Sequence, residues 1–161
     1  MTRSPSRIEQ RNTSQGSVRL RMWLRMANCY AIVDRQLRKN LAAEFDMTLV
    51  RFDILATLDR HPDGLSMSDL SAELFVTAGN ISGIVRDLKE QKLVTTSTAQ
   101  TDRRSSIVSL TDSGRACAAK LNAAHQAWVE DLLGGMSQSQ SMQLMELLGA
   151  VRKQLAARGL S

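Results

Sequence analysis

The hydrophobic period of this chain changes once, and that change limits what it can fold into. Between Thr48 and Gln91 apolar residues recur every three or four positions, the spacing of helix faces. Leu93–Thr98 and Ser106–Leu110 are instead rich in β-branched residues, with a polar segment, 99–105, between them. Two such runs read as a two-stranded hairpin with a long tip. Upstream, local signals cut the helical stretch into three. Thr48 can cap a helix whose apolar face is Leu49, Phe52, Leu55, Ala56 and Leu58. His61-Pro62-Asp63-Gly64 ends it, because neither Pro nor Gly continues a helix comfortably. Ser66 to Asp69 opens a short helix with Leu70 and Leu74 inward. Phe75–Val76 is a tight connection, and Thr77 caps a helix to about Gln91 that buries Ile81, Ile84, Val85 and Leu88.

Long helical patterns flank this middle. One begins near Val18, with Leu20, Trp23, Leu24, Ala27, Ala31, Leu37, Leu41 and Phe45 on one face. It is longer than a typical globular helix, so it is expected to reach past its own core and pack on a partner. Thr111 caps a second, with Leu121, Ala124, Trp128 and Leu132 on one face, and Gly134–Gly135 breaks it. Ser137 and Gln140 form a capping box for a last helix showing Leu144, Leu148, Val151 and Leu155. Two short helices, a tight turn and a hairpin are the grammar of a winged helix-turn-helix. The expected fold is therefore mainly α with a small β-hairpin. A winged helix-turn-helix over 47–111 is flanked by long dimerisation helices over 18–46 and 112–157, and residues 1–17 are expected to be a disordered basic arm.

Composition narrows the function. The chain has 161 residues, 43% hydrophobic and 23% charged. No apolar run approaches the roughly 18 residues of a membrane span. No apolar h-region with a cleavage site opens the chain, so secretion is not expected. Two cysteines make no disulfide framework, which fits the cytoplasm. With two histidines and two cysteines far apart, no metal site is expected, and no cofactor either. The net charge of +5 resides in residues 1–25, which hold six arginines and one acid; the remainder balances. Within the body, residues 44–73 carry seven acids and two bases, whereas 86–120 carry seven bases and four acids. The second region is the better candidate for phosphate.

The helix after Thr77 suits a major groove. Thr77, Gly79, Asn80, Ser82, Gly83 and Arg86 face solvent. Small residues let a backbone approach closely, Asn80 can pair with an adenine edge, Arg86 with guanine, and Ser82 with base or phosphate. The hairpin tip carries Asp102, Arg103 and Arg104, and arginine is favoured in a narrow minor groove. Asp102 suits a role in holding the turn or an arginine in place. Without context, the same residues also describe an ordinary polar helix face and a solvated turn.

The pattern Asp102-Arg103-Arg104, Val108-Ser109-Leu110-Thr111, Gly114-Arg115 resembles the wing signature D-x-R, V-x-L-T, G-R of the MarR (multiple antibiotic resistance regulator) family of bacterial transcription factors. Leu65–Leu74 and Val76–Val85 are similar to that family's third helix and recognition helix. Leu88–Val94 resembles its L-x-x-x-G-L-V, with Lys92 in place of glycine. The close resemblance covers about residues 48–116. It departs from the family at Arg86-Asp87, where Asp-Arg is common, and at Thr95–Thr96, where an arginine is frequent. The resemblance implies that Arg104 enters the minor groove, Asp102 orients the wing, and Asn80 and Ser82 meet the major groove.

It further implies a homodimer on a double-stranded, pseudo-palindromic DNA operator, acting as a repressor released by a small-molecule effector. The effector residues it suggests are Trp23, Met26, Tyr30, Arg51, Leu55 and Met67. Trp23 and Tyr30 offer flat apolar surface and Arg51 a carboxylate partner, which suggests an aromatic acid. Arg19, Arg21 and Arg25 could instead meet the phosphates of an aromatic acyl-CoA. The plainer alternative makes Trp23 and Met26 core and pairs Arg51 with Asp53 or Glu44. A redox alternative rests on Cys29, beside Tyr30, although a buried inert Cys29 and a core Cys117 are the expectation. No catalytic residues and no enzyme are expected, since the chain has no phosphate loop or nucleophile elbow. A winged-helix protein–protein module is the reading from another class.

Overall fold

The computed structural model describes residues 17–74, 78–98 and 106–160. The helices are α1 Val18–Phe45, α2 Leu49–Asp59, α3 Met67–Glu73, α4 Ala78–Glu90, α5 Asp112–Leu133 and α6 Gln138–Ala156. The strands are β1 Leu65–Ser66, β2 Val94–Thr98 and β3 Ser106–Leu110. The fold is a winged helix with long flanking helices, as its periodicity predicts. The expected arm over 1–16, the Thr77 cap and the wing tip, with Asp102, Arg103 and Arg104, lie outside the described residues. Ser17 belongs to α1 as its N-cap, because its Oγ accepts from Leu20 N at 3.3 Å. No helix among the described residues is long and apolar enough to cross a membrane.

Helix starts follow their caps. Thr48 Oγ1 accepts from Arg51 N at 3.4 Å and Ser66 Oγ from Asp69 N at 3.1 Å, each satisfying a donor that has no partner within its helix. Thr111 Oγ1 does the same for Gly114 N at 3.0 Å.

The expected two-stranded hairpin is a three-stranded antiparallel sheet in the order β1-β3-β2. Leu65 pairs with Val108, and Val94 with Leu110. A strand of two residues has no periodicity to read. Gly64 makes it possible: φ is +79° there, and a Cβ would lie 2.5 Å from the Val108 carbonyl oxygen. Leu93 was expected to open a strand. It instead closes α4, its N–H donating to Leu88 O at 3.0 Å while Lys92 N donates to Lys89 O at 2.9 Å. With Lys92 at φ +58°, this is a Schellman turn made without glycine.

The chain divides into two compact units, up to His125 and from Gln126 onward. The first has a core of Leu37, Leu41, Phe52, Ile54, Leu55, Leu58, Leu70, Ile81, Val85, Leu88, Val108 and Leu121. There Phe52 stacks on His125 with ring centroids 4.8 Å apart. In the second unit Ser137 forms the expected capping box with Gln140. Helix α6 has no buried residue, and Met142, Leu144, Met145, Leu147, Leu148 and Leu155 are exposed along it.

Candidate nucleic-acid interface

Helix α4 has two distinct faces. Ile81, Val85 and Leu88 are buried, and Ile84 is partly covered. Gly79, Asn80, Ser82 and Arg86 are exposed, and Gly83 is partly so. The side chain of Arg86 is 73% exposed, with Asp87 at 3.7 Å. Neither Gly79 nor Gly83 is required by packing, since a Cβ on either would meet nothing within 4 Å. Two glycines in a short helix are unfavourable by roughly 0.5–1 kcal/mol each relative to alanine, and no contact inside the fold explains them.

The far end of α4 is held by β2 and α5. Lys89 Nζ donates to Thr96 Oγ1 at 2.5 Å, so a cation stands at the root of the hairpin. The Lys92 carbonyl accepts from Thr111 Oγ1 at 2.6 Å and from Ser113 Oγ at 2.8 Å. Gly114 comes so close to Leu93 that a Cβ would overlap the Leu93 carbonyl oxygen. Lys89 was not among the sequence candidates. Its spacing from Ser82 and Arg86, seven and three residues, places it on their face and could have revealed it.

A polar, glycine-bearing helix braced against a hairpin can enter a groove of DNA. Residues 45–105 match the family model described as MarR family. The transcriptional regulator PecS of Dickeya dadantii is 29% identical over 126 residues, spanning 77% of this chain and 75% of PecS. Over residues 45–105 the chain is a MarR-family winged helix-turn-helix. It is a DNA-binding transcriptional regulator of that family. A MarR-family regulator from Silicibacter pomeroyi is 29% identical, covers 94% of this chain and 99% of its own, and has a TM-score of 0.72. AbsC of Streptomyces coelicolor has the same fold at a TM-score of 0.77, with 22% identity and coverage of 90% and 99%.

The effector candidates of this MarR-family protein are not enclosed together. Trp23 and Tyr30 are 59% and 70% exposed on α1, so Trp23 is not a core residue. Tyr30 Oη donates to Asp34 Oδ1 at 3.5 Å; a hydrogen bond from Arg38 holds the Asp34 carboxyl below its ordinary range. Leu55 is wholly buried, while Met26, Arg51 and Met67 are partly covered. Arg19, Arg21 and Arg25 are exposed. Arg51 pairs with neither Asp53 nor Glu44. Its Nη2 donates to Gln91 Oε1 at 2.5 Å, forty residues away in sequence and beyond the reach of local pattern.

Cys29, expected to be buried, is exposed, because the first half of α1 extends beyond the core that covers Leu37 and Leu41. Cys117 is partly covered, and burial pushes its thiol up against the opposing charges of Lys120 and Arg51. Among the described residues no group of His, Cys, Asp or Glu is placed to hold a metal.

Proposed function

We propose that this MarR-family regulator is a cytoplasmic repressor that binds a pseudo-palindromic operator as a homodimer. A small aromatic acid or its CoA thioester releases it. The observation that carries the DNA reading is the two-faced α4: Gly79, Asn80, Ser82 and Arg86 outward, Ile81, Val85 and Leu88 inward. Thr77 and the wing residues Asp102, Arg103 and Arg104 complete the proposed interface. The dimer reading is supported by apolar surface that a lone chain leaves in water. Val18, Leu20, Met22, Trp23 and Ile32 are exposed on α1, and α6 buries nothing. Two recognition helices related by a two-fold axis would read half-sites about 10 base pairs apart.

Selecting bound duplexes from a random-sequence pool should yield one palindromic site. Affinity for that duplex should fall steeply with salt, because phosphate contacts release counterions. Arg104→Ala should weaken it about tenfold or more while fold and dimer persist. Normal binding by that variant would overturn the wing assignment, and a monomer in sedimentation at micromolar concentration would overturn the dimer. Effector class is read by thermal shift with aromatic acids and their CoA thioesters. A ligand at a hundred times its Kd adds about 2.7 kcal/mol of stability.

The exposure of Cys29 favours a second reading, peroxide-dependent release through its thiol. Cys29→Ser would then abolish release by peroxide, and an unchanged response would end that reading.

A further inference from the structure

Lys89 and Thr96 join α4 to the root of the hairpin through one hydrogen bond, 2.5 Å from Nζ to Oγ1. Packing alone explains neither residue. Thr96 pairs with Val108 and shares a face of the sheet with Val94, and those two valines are 0% and 2% exposed. A third valine would suit that face at least as well, so the hydroxyl is not a requirement of the core. Lys89 is exposed in the last turn of α4, where the helix dipole favours a cation. The dipole accounts for its charge but not for its attachment to a hydroxyl on β2. No ion pair joins Lys89 to an acid among the described residues. The strand beside it offers none either, since Thr95 and Ser97 are exposed and neutral. An uncompensated cation is thus held in place on the face that carries Ser82 and Arg86.

We propose that Lys89 and Thr96 together grip one backbone phosphate of the DNA, at the boundary between the groove that α4 enters and the groove that the hairpin flanks. This rests on the DNA interface proposed above and adds two residues to it. An ammonium has three donors and a hydroxyl one. With one N–H given to Oγ1, the other two and the threonine O–H are left to converge on the same anion. The bond to Thr96 also fixes a long, flexible side chain before DNA arrives, which lowers the ordering cost of binding. A phosphate carries no base identity. The contact therefore adds affinity and sets the register of helix and hairpin on the backbone without reading sequence.

The test titrates the full chain and its variants against the selected duplex and an unrelated duplex of equal length, over a range of salt. Lys89→Gln should weaken both duplexes by a similar factor, about tenfold. Its salt slope should fall by about one per half-site, because fewer counterions are released. Lys89→Arg should restore the slope. Thr96→Val, nearly isosteric, should weaken both duplexes severalfold and leave the slope close to wild type. Replacing the phosphates of the selected duplex one at a time by neutral methylphosphonates locates the contact. At one position per half-site the wild type should lose affinity and Lys89→Gln should lose no more. A lysine that served only the helix would lower the urea midpoint of Lys89→Gln and leave its salt slope unchanged. That unchanged slope, a loss confined to the selected duplex, or the absence of any methylphosphonate position where the two proteins converge overturns the proposal. Failure of the DNA reading looks different: the wild type itself then binds neither duplex with a salt-dependent affinity.

Discussion

Thr111 holds Lys92 in a left-handed backbone conformation. Its Oγ1 donates to the Lys92 carbonyl at 2.6 Å while Lys92 sits at φ +58°. The same hydroxyl accepts from Gly114 N and so starts α5. One threonine therefore fastens the end of α4 to the beginning of α5. The left-handed region places the Cβ of a non-glycine residue close to the following carbonyl, at a cost of about 1–2 kcal/mol. Glycine relieves that strain and gives back part of it as unfolded-state entropy. Lys92→Gly should raise stability by about 0.5 kcal/mol in urea titrations. A loss would mean that the lysine side chain contributes something its exposed position does not suggest.

Gly114→Ala should act in the opposite direction. The added Cβ meets the backbone carbonyl of Leu93, which cannot turn aside as a flexible side chain would. A loss of about 2–4 kcal/mol in chemical unfolding is expected. A nearly neutral result would show that α5 can shift away from the turn at Lys92.

Gly79→Ala and Gly83→Ala should separate stability from function. Each new methyl enters open space, so each substitution should stabilise α4 by about 0.5–1 kcal/mol. If these glycines exist to let the helix backbone approach DNA, the same variants should bind the selected duplex more weakly. Higher melting temperatures with unchanged affinity would assign the glycines no role in the interface.

Asp53 governs a pH dependence. Burial, the largest influence, raises its carboxyl above the ordinary range, although His125, Arg38 and Arg60 pull it down and Asp34 adds to the rise. The folded state then holds a proton that the unfolded chain releases. Its contribution to stability is fully present below the unfolded carboxylate pKa of about 3.9 and is lost as pH rises through the folded value. Asp53→Asn should therefore be more stable than wild type at neutral pH, by less than about 1 kcal/mol, with the gain vanishing below about pH 4. Thermal melts across that range check it, and a gain that grew on acidification would reverse the sign of the argument.

The parts of this fold legible in the sequence are those written in local pattern. Helix α1 announces itself by three- and four-residue steps from Leu20 to Phe45, and Thr48, Ser66, Thr111 and Ser137 mark helix starts through side chains that reach only three residues. The buried and exposed faces of α4 follow from the same period. What escaped reading depended on distance or extent. Strand β1 is defined only by its pairing with β3. The partner of Arg51 lies forty residues downstream. Cys29 lies within a helical pattern that continues past the point where its own core stops covering it, and periodicity does not mark that point. Lys92 was legible as a departure, a side chain standing where the family pattern has glycine, and its positive φ shows why glycine is usual there.

Helix α6 has nineteen residues and buries none of them. Nucleating a helix is unfavourable, and a segment of this length is marginal in water without an apolar face packed against something. Its order is therefore borrowed from whatever covers Leu144, Leu148 and Leu155. Newly made chains, before they find that cover, would present a fraying helix to cellular proteases. In the proposed homodimer, the fate of an unassembled subunit would then be decided at α6, and the level of working regulator would depend on how quickly two chains meet.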